Sequence, residues 1–456
     1  MDLNEKHILF KESLPHAVLK AIDKLNKNDY KAFVVGGAVR NFLLGRKITD
    51  YDLCTSATPE QIKDVFTDFK TLSIGAKFGT VMVLIEDEFL EITTFRREDD
   101  YYDGRHPGTV EFSSDLDEDL SRRDFTINAM AYDPSDGFID LYGGDADIRN
   151  KTIRAVGNAE TRITEDYLRM LRAVRLATEL DFNLDDELLM AIKANAEGLK
   201  KISKERISNE FNRILLSNVP SKGMLLLVRS GLLAEISQDL YRMYGFEQDS
   251  SFHDDDLFTH TIKVLDGTKA DLDLRLAALF HDVGKPSTKE IDEHGEGRYF
   301  GHQKVSALLA EEFLKDYRYS NKIIEKVVML IQRHMDCANV YTPKSVKKLI
   351  SRMGNEVYTL FELQAADVLA TNRKSNIDNI NNGKELADTI INEKQTVDES
   401  GLAINGDDLI KIGYKQGVYL GSILKKLTDM VLEDESINTN KSLLEIAKNL
   451  LYMEDK

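Results

Sequence analysis

Two aspartates separated by a single residue are the first side chains in this chain whose type and spacing suggest chemistry. Asp50 and Asp52 follow an apolar run and a glycine pair, Gly36-Gly37. In an extended strand, residues i and i+2 lie on the same side, so both carboxylates can share one divalent cation. Carboxylate oxygens suit Mg²⁺, and the pair therefore predicts a magnesium site.

The glycine pair supplies a second chemical feature, a backbone cradle for an anion. Gly36 and Gly37 lack a Cβ, which allows N–H groups to approach a phosphate closely. Arg40 follows in a short helical pattern, whose N-terminus would carry partial positive charge towards the same anion. A tight turn and an acidic surface strand would explain either motif alone. Together, the phosphate cradle and the metal site indicate nucleotidyl transfer.

A second segment, SRRDFTINAMAYD (residues 121–133), places two adjacent arginines beside an aspartate. Planar guanidinium groups donate paired hydrogen bonds to phosphate oxygens, so Arg122 and Arg123 can hold a triphosphate or an RNA backbone. A local ion pair among Arg122, Arg123 and Asp124 is the alternative interpretation.

A third segment, EDYLRMLRAVRLA (residues 165–177), repeats charged side chains every three residues. On one α-helix such residues are neighbours in a row that winds slowly around the axis. A carboxylate accepts and a guanidinium donates, so Asp166 with Arg169 can match the hydrogen-bonding edge of a base. Arg172 and Arg175 would continue towards phosphates. A surface salt-bridge ladder would explain the same spacing without a ligand.

A separate set of metal-ligating side chains lies in the second half of the chain. It consists of His260, the pair His281-Asp282 in LAALFHDVGKP, and Asp367 in LQAADVLATN. Imidazole and carboxylate suit divalent transition metals, and water bound to such a metal can attack a phosphate ester. A single His-Asp pair, in contrast, is often incidental. Three further candidates accompany the set, the last of them for phosphate: His302, His334 and Lys285.

The elements that must position these residues change in type along the chain. Residues 78–85 and 89–95 are rich in β-branched and aromatic side chains and predict a hairpin. Glu91 on its second strand is a candidate third carboxylate near the aspartate pair, or else an exposed strand glutamate. From about Thr164 onwards, the spacing of apolar residues predicts helices almost throughout.

A charged segment, RREDDYYDGRHPGTVEF (residues 96–112), separates the first two motifs. Gly104, Pro107 and Gly108 predict a loop, and the density of charge argues against its burial. We therefore expect a mobile loop between the first two motifs.

The composition limits the location of the protein. With 456 residues, the chain is long enough for two or more domains. No apolar run approaches the ~20 residues of a membrane span, and the N-terminus lacks a signal-peptide core. Cys54 and Cys337 provide neither a disulfide framework nor a zinc spacing. These features predict a cytoplasmic protein with no membrane partner.

The order of the first motifs resembles the nucleotidyltransferase superfamily that includes DNA polymerase β. The sequence segments GGAVR, DYDLCTSATPE and RRDFTINAMAYD resemble those of the class II CCA-adding tRNA nucleotidyltransferases and the related bacterial poly(A) polymerases. The family pattern has aspartate where this chain has Asn41, which weakens any role that needs a charge there. The resemblance implies an α+β fold, with a polymerase-β-like head containing a mixed sheet followed by an all-helical body.

The resemblance also implies an activity, the template-independent addition of C and A to tRNA 3′ ends from CTP and ATP. Asp50 and Asp52 would hold Mg²⁺, lower the pKa of the attacking 3′-hydroxyl and brace the leaving pyrophosphate. The implied nucleotide-binding residues hold the triphosphate or recognise the base: Gly36, Gly37, Arg40, Arg123, Asp166, Arg169, Arg172 and Arg175. In the family, the segment of residues 96–112 is associated with the switch from C to A addition.

Binding of tRNA must be reconciled with a formal net charge of −18. This charge argues against a general nucleic-acid coat, but local basic patches can still bind tRNA. One candidate patch comprises Lys200, Lys201, Lys204 and Arg206, and a solvated helix face would have the same composition.

The segment HDVGKP, with His260 before it and Asp367 after it, resembles the HD phosphohydrolase superfamily. The resemblance implies a divalent transition metal bound by four residues: His260, His281, Asp282 and Asp367. Whether this HD site hydrolyses a phosphate ester is left open, because a metal can also be structural.

We therefore predict four parts in the chain. They are a nucleotidyltransferase head (1–150), a helical neck that selects the nucleotide and binds RNA (151–250), an HD-type domain (251–375) and a helical tail (376–456). A poly(A) polymerase or an A-adding enzyme is the nearest alternative. An HD phosphohydrolase whose head only binds nucleotide or RNA is an alternative of another class. The oligomeric state stays open.

Overall fold

The computed structural model describes residues 3–72, 79–101, 107–249, 255–338, 340–371, 377–393 and 398–454. The chain divides into two compact units, Met1–Tyr241 and Arg242–Lys456. The finer division at residues 150, 250 and 375 stays a prediction.

A mixed sheet forms the centre of the first unit. The strands in chain order are β1 (Ala32–Val35), β2 (Asp52–Thr55), β3 (Lys70–Leu72), β4 (Thr80–Ile85), β5 (Glu88–Thr94), β6 (Arg96–Tyr101), β7 (Pro107–Phe112), β8 (Met130–Asp133) and β9 (Gly137–Asp140). All but β6 and β7 join one sheet, in the order β3-β4-β5-β2-β1-β8-β9. Strands β2 and β5 are parallel, and each other neighbouring pair is antiparallel. The predicted mixed sheet is confirmed.

Burial explains which segments became strands of this sheet. Strand β1 is buried at every position, as a short continuous apolar run predicts. Strand β4 alternates, with Val81, Val83 and Ile85 buried. Its hairpin with β5 turns at Glu86 and Asp87, whose φ angles of 51° and 67° suit a two-residue hairpin turn. The predicted hairpin is confirmed.

The charged segment predicted as a loop forms two strands where the structure describes it. Strands β6 and β7 pair antiparallel, with Arg97 opposite Glu111. An aromatic side chain such as that of Phe112 favours an extended backbone. The loop prediction is therefore wrong for these two strands, and Gly104 lies outside the described residues.

Helices precede, cover and follow the sheet in the first unit. They are α1 (Leu3–Ser13), α2 (His16–Asn26), α3 (Gly37–Leu43), α4 (Pro59–Val65), α5 (Leu116–Ser121), α6 (Gly144–Asn150), α7 (Ala159–Glu165), α8 (Leu168–Leu180), α9 (Asp186–Asn195), α10 (Lys204–Leu215), α11 (Pro220–Arg229), α12 (Leu232–Ile236) and α13 (Gln238–Tyr241). Short strands β10 (Thr152–Ile153) and β11 (Asn183–Leu184) pair in parallel between them.

The second unit is helical, as predicted for the body. Its helices are α14 (Leu257–Asp266), α15 (Leu272–Phe280), α16 (Lys285–Thr288), α17 (His302–Asp316), α18 (Asn321–Arg333), α19 (Pro343–Met353), α20 (Glu356–Leu369), α21 (Ile377–Asn392), α22 (Gly406–Lys411), α23 (Val418–Glu433) and α24 (Asn440–Glu454). One short antiparallel ladder joins β12 (Glu290–Ile291) and β13 (Gly297–Arg298). Among the residues that the structure describes, no helix has the length and apolar character needed to cross a membrane.

An aromatic cluster fixes the short helix α3 against the sheet. Phe10 of α1 stacks on Phe42 of α3 with ring centroids 4.2 Å apart. Tyr132 and Phe138, from the adjacent strands β8 and β9, contact the Phe10 ring at 4.6 and 5.7 Å. Offset aromatic packing of this kind adds to the area that the rings bury. Helix α3 follows the glycine turn directly, so the cluster also fixes that turn.

We expect Phe10→Ala to lower the free energy of unfolding of the first unit by about 3–5 kcal/mol, as for other fully buried aromatic side chains. Phe10 is fully buried, whereas Leu9 on the same helix is 46% exposed. Leu9→Ala is the matched control and should change stability little. Urea unfolding of both variants tests the difference, and equal effects would contradict the role of the cluster.

Candidate functional site

The first unit contains a polar cavity with a volume of about 600 Å³, in which arginine is the commonest lining residue. The cavity gathers predicted residues from all three sequence motifs: Gly36, Gly37, Arg40, Asp52, Arg123, Asp166, Arg169, Arg172 and Arg175. Strands β1 and β2 and helix α3 supply the first motif, and helix α8 supplies part of the third. Segments far apart in the sequence therefore meet at one surface.

Asp52 stands at the first position of strand β2, and the parallel pairing of β2 with β5 sets Glu91 opposite it. Burial raises the pKa of Asp52, Arg123 opposes this shift, and Asp50 adds to it. Burial and then Asp52 raise the pKa of Glu91. Asp52 is therefore close enough to two other carboxylates for Asp50 to disfavour its charge and for it to disfavour the charge of Glu91, which is the arrangement that a divalent cation stabilises.

The two aspartates of the first motif do not share a strand. Strand β2 begins at Asp52, while Asp50 precedes it, is exposed, and accepts a hydrogen bond of 3.0 Å from the Thr49 hydroxyl. Leu53 is buried, as expected for a position that faces the core. The predicted strand is therefore correct for Asp52 and wrong for Asp50.

The glycine turn is shaped to accommodate Arg123. Gly36 has φ 69° and ψ −125°, and a Cβ there would lie 3.1 Å from Nη1 of Arg123. Nη2 of Arg123 donates to the buried carboxylate of Asp119 over 3.0 Å, and Arg122 binds the other oxygen of Asp119 at 2.7 Å. Burial alone would raise the pKa of Asp119, but Arg123 and Arg122 hold it below its ordinary value.

Asp119 was missed from the sequence, although a local signal was present. It precedes Arg122 and Arg123 by three and four residues, the spacing at which side chains on a helix become neighbours. The alternative of a local ion pair is thus correct for these arginines, but the acidic partner is Asp119 instead of Asp124.

Arg40 is held by amide oxygens. Its Nε and Nη2 donate to Oδ1 of Asn41 at 3.2 and 3.0 Å, and its Nη1 donates to Oδ1 of Asn128. Burial lowers the pKa of Arg40 to about 10, and the nearby Arg175 adds to this shift. Asn41 therefore keeps an orienting role at the position where the family has aspartate, but it does not neutralise the guanidinium.

The charged segment predicted as one helix is broken at Asp166. Helix α7 ends at Glu165 and α8 begins at Leu168, while Asp166 is extended with φ −144° and ψ 105°. Its Oδ1 accepts the backbone N–H of Leu168 at 3.0 Å. A short acidic side chain that binds nearby backbone in this way competes with helix continuation. The prediction of a single helix through all four charged residues is therefore wrong.

The break also changes the pairing of the charged side chains. Oδ2 of Asp166 accepts from Nη2 of Arg206 on α10 at 2.7 Å. Arg169 instead forms an ion pair with Glu165 and donates to the backbone oxygens of Arg162 and Arg122 at 2.9 and 3.2 Å. The backbone N–H of Arg169 donates to the carbonyl of Asp166 at 2.9 Å, but among the side-chain contacts of these two described residues the expected pairing of carboxylate with guanidinium is absent.

The two arginines expected to continue towards phosphates have carboxylate partners. Arg172 donates twice to Oδ2 of Asp124, at 2.8 and 2.6 Å, and this pair lowers the pKa of Asp124 against the effect of burial. Arg175 is buried, with Nε 2.6 Å from Glu210 and Nη1 3.3 Å from Glu179. Both arginines line the cavity, and the salt-bridge alternative describes their observed contacts.

A second cluster in the other unit brings together all four predicted HD-site residues. Nε2 of His260 lies 3.1 Å from Oδ1 of Asp367, and Nε2 of His281 lies 3.2 Å from Oδ2 of Asp282. Both histidines are fully buried. Burial alone would lower the pKa of His281, but Asp282 and Asp367 raise it to about 10.

The cluster continues across Asp282 to two further histidines. Its Oδ1 lies 3.1 Å from Nε2 of His302 and 3.7 Å from Nε2 of His334. Nδ1 of His281, His302 and His334 each lies 2.7–2.8 Å from a backbone carbonyl, which can only accept a hydrogen bond. Nδ1 therefore carries the proton, and Nε2 is directed at the carboxylates, as in metal-binding histidines. Lys285 contacts Oδ2 of Asp282 at 2.7 Å.

Three family profiles match successive parts of the chain. They are described as "Poly A polymerase head domain" (residues 32–154), "Probable RNA and SrmB- binding site of polymerase A" (residues 181–242) and "tRNA nucleotidyltransferase domain 2" (residues 302–447). A solved CCA-adding enzyme from Bacillus stearothermophilus in complex with CTP superposes with a TM-score of 0.70 at 27% identity, over 96% of this chain and 98% of its own. A CCA-adding enzyme from Thermotoga maritima complexed with tRNA_CCA shares the fold, with a TM-score of 0.57 at 18% identity over 99% of each chain.

Curated relatives agree with this assignment along the whole chain. The CCA-adding enzyme of Lactococcus lactis subsp. lactis is 34% identical over 96% of this chain and 99% of its own length. The CCA-adding enzyme of Enterococcus faecalis is 34% identical over 96% of each chain. With such identity over nearly the full length, and with the glycine turn, carboxylates and arginines in one cavity, the chain belongs to the CCA-adding enzymes, a family of nucleotidyltransferases.

Proposed function

We propose that this chain adds C and A to tRNA 3′ ends from CTP and ATP, and that the arginine-lined cavity is the polymerase site. The observation that carries the proposal is the meeting of Asp52 and Glu91 with the glycine turn and Arg123 in one cavity. The complex of the Bacillus stearothermophilus relative with CTP supports CTP as a substrate. We propose the cytoplasm as the location of this activity, with tRNA as the partner of the chain.

The metal-binding part of this site comprises Asp50, Asp52 and Glu91. The donor set fits a hard divalent cation such as Mg²⁺, since all three side chains offer oxygen ligands and the pKa of both Asp52 and Glu91 is raised. When bound, Mg²⁺ would help the attacking 3′-hydroxyl to ionise and would stabilise the charge of the leaving pyrophosphate. Glu91 is proposed as the third carboxylate because it lies opposite Asp52 on the neighbouring strand.

Two arginines are proposed to hold the triphosphate. Arg123 adjoins Gly36, whose missing Cβ leaves room for the guanidinium. The recorded side-chain partners of Arg40 are amide oxygens, so its charge is oriented without being neutralised by a bonded carboxylate. An arginine in this condition can bind phosphate without first breaking an ion pair.

Asp166 is proposed to select the base. Cytosine and adenine each offer an amino group beside an unprotonated ring nitrogen, whereas uracil and guanine offer a carbonyl beside a ring N–H. A carboxylate accepts from an amino group and repels a carbonyl oxygen, so it favours the first two bases. Asp166 lines the cavity, and each of its oxygens has one recorded donor, which leaves lone pairs for the base.

A second activity is proposed for the histidine cluster. His260, His281, Asp282 and Asp367 would hold a divalent transition metal, because the buried imidazoles point Nε2 at two carboxylates. Such a metal would supply an activated water for attack on a phosphate ester. Lys285 beside Asp282 is placed to bind the phosphate.

We expect Asp52→Asn to reduce C addition to a tRNA acceptor by about 10³-fold, the size of effect seen when a preorganised charge-stabilising group is removed. Glu91→Gln should reduce it less, because Asp52 retains Asp50 as a carboxylate neighbour. Exposed Asp136 supplies the control, Asp136→Asn, which should have normal activity. Near-normal Mg²⁺-dependent addition by Asp52→Asn would remove the proposed metal site.

We expect Asp166→Ala to lower the preference for CTP over UTP more than it raises the KM for CTP. The reason is that the carboxylate contacts the base, whereas other residues hold the triphosphate. The variant also loses a side-chain hydrogen bond to the backbone at the start of α8, so Asn158→Ala is the matched control, since Asn158 accepts the backbone N–H of Thr161 at the start of α7. Kinetics with each nucleotide on a tRNA ending before CCA measure both effects. An unchanged preference would exclude Asp166 from base selection.

We expect the His281→Ala/Asp282→Ala double variant to lose transition-metal binding and any phosphatase or phosphodiesterase activity while retaining nucleotide addition. These residues lie in a different compact unit from the cavity. Metal analysis of the purified variant and a tRNA addition assay test the two halves separately. Loss of addition in a folded variant would show that the two sites are coupled.

A further inference from the structure

The carboxylate of Asp166 is fixed from two sides. Oδ1 accepts from the backbone N–H of Leu168 at 3.0 Å, which ties it to the first turn of α8. Oδ2 accepts from Nη2 of Arg206 at 2.7 Å, across 40 positions of sequence. Because each oxygen has its own donor, rotation about the Cβ–Cγ bond would break both hydrogen bonds. The orientation of Asp166 therefore depends on helix α10 as well as on its own backbone.

Tyr167, which follows Asp166, packs against the segment that leads to α10. A Cβ on Gly198 would lie 2.3 Å from the ring of Tyr167, so the aromatic ring packs directly against that glycine backbone. The ammonium of Lys201 lies 5.0 Å from the centroid of the same ring. The link between α7 and α8 thus rests on the segment just before Arg206.

Arg169 is poorly placed to fix the carboxylate of Asp166, because its own guanidinium is already bonded elsewhere. Arg169 is 8% exposed, and its guanidinium is bonded to Glu165 and to two backbone oxygens. Nη1 of Arg206 is buried without a hydrogen-bond partner among the described residues, and Arg206 lines the cavity. Leaving a buried N–H donor without an acceptor costs free energy, so Nη1 of Arg206 would be stabilised by any acceptor that enters the cavity.

We propose that Arg206 is a positioning residue for nucleotide selection, which it serves by fixing the carboxylate of Asp166 towards the base. This inference rests on the proposed function of the cavity. With Arg206 in place, the free lone pairs of Asp166 point in a fixed direction and meet the amino group of cytosine or adenine. Without it, the carboxylate can turn away from a uracil or guanine carbonyl, which lowers the discrimination between the bases.

The test compares Arg206→Met, which keeps the length of the side chain but removes the guanidinium, with Arg149→Met. Arg149 also pairs with a carboxylate, that of Asp145, but it does not line the cavity, so it controls for the loss of a positive charge. The measured quantities are the ratio of kcat/KM for CTP over UTP on a tRNA ending before CCA, and for ATP over GTP on a tRNA ending in CC. Arg206→Met should lower both ratios by about 10- to 100-fold, as expected for one charge-assisted hydrogen bond. Arg149→Met should leave both unchanged.

A double variant shows whether Arg206 acts through Asp166. If it does, Arg206→Met should lower the ratios no further when Asp166→Ala is already present. Additive losses, or unchanged ratios in Arg206→Met, would overturn the proposal. Should Arg206→Met fail to fold, Arg206→Ala replaces it, because alanine also removes the guanidinium that binds Asp166, and an unchanged ratio there is equally decisive. A wild-type protein that adds neither C nor A would refute the proposed function instead.

Discussion

Repulsion among the buried guanidinium groups is the constraint on which the cavity depends. Many arginines line one pocket, and each would be costly to bury without a partner. The structure meets this constraint with carboxylates brought from several elements. The resulting pairs are Arg123 with Asp119, Arg169 with Glu165, Arg172 with Asp124, Arg175 with Glu210, and Arg206 with Asp166. The positions of α5, α8 and α10 around the sheet are those that allow these pairs to form.

The same constraint separates the arginines that hold the structure together from those that can bind a ligand. Arg175 is buried between two carboxylates and therefore serves mainly as a cross-link between helices. Arg40 has neutral partners and keeps its charge for another group. In the second unit a carboxylate takes the central position instead, since the two oxygens of Asp282 face different histidines. The cavity is thus a place where buried positive charges are gathered and only partly balanced.

The sequence predicted the features that depend on local backbone and missed those that depend on distant pairing. The hairpin, the central strand β1 and the turn at Gly36 follow from short-range patterns, and the structure contains them. The partners of Arg172 and Arg206 lie 48 and 40 positions away, so no spacing along one helix could reveal them. The periodic charges around Asp166 predicted a continuous helix because the side chain's own hydrogen bond to the backbone is not visible in periodicity. The four HD-site residues were placed together correctly, because their identities as a set, more than their spacing, carry the signal.

The stacking of Phe10 on Phe42 has a consequence for how this protein can be handled in the laboratory. Helix α1 packs onto the helix that follows the glycine turn, so the first residues of the chain belong to the support of the cavity. Removal of the residues before the first strand would delete the ring of Phe10 and would leave the glycine turn without this packing support. Purification tags placed there need a spacer long enough to leave α1 seated against Phe42.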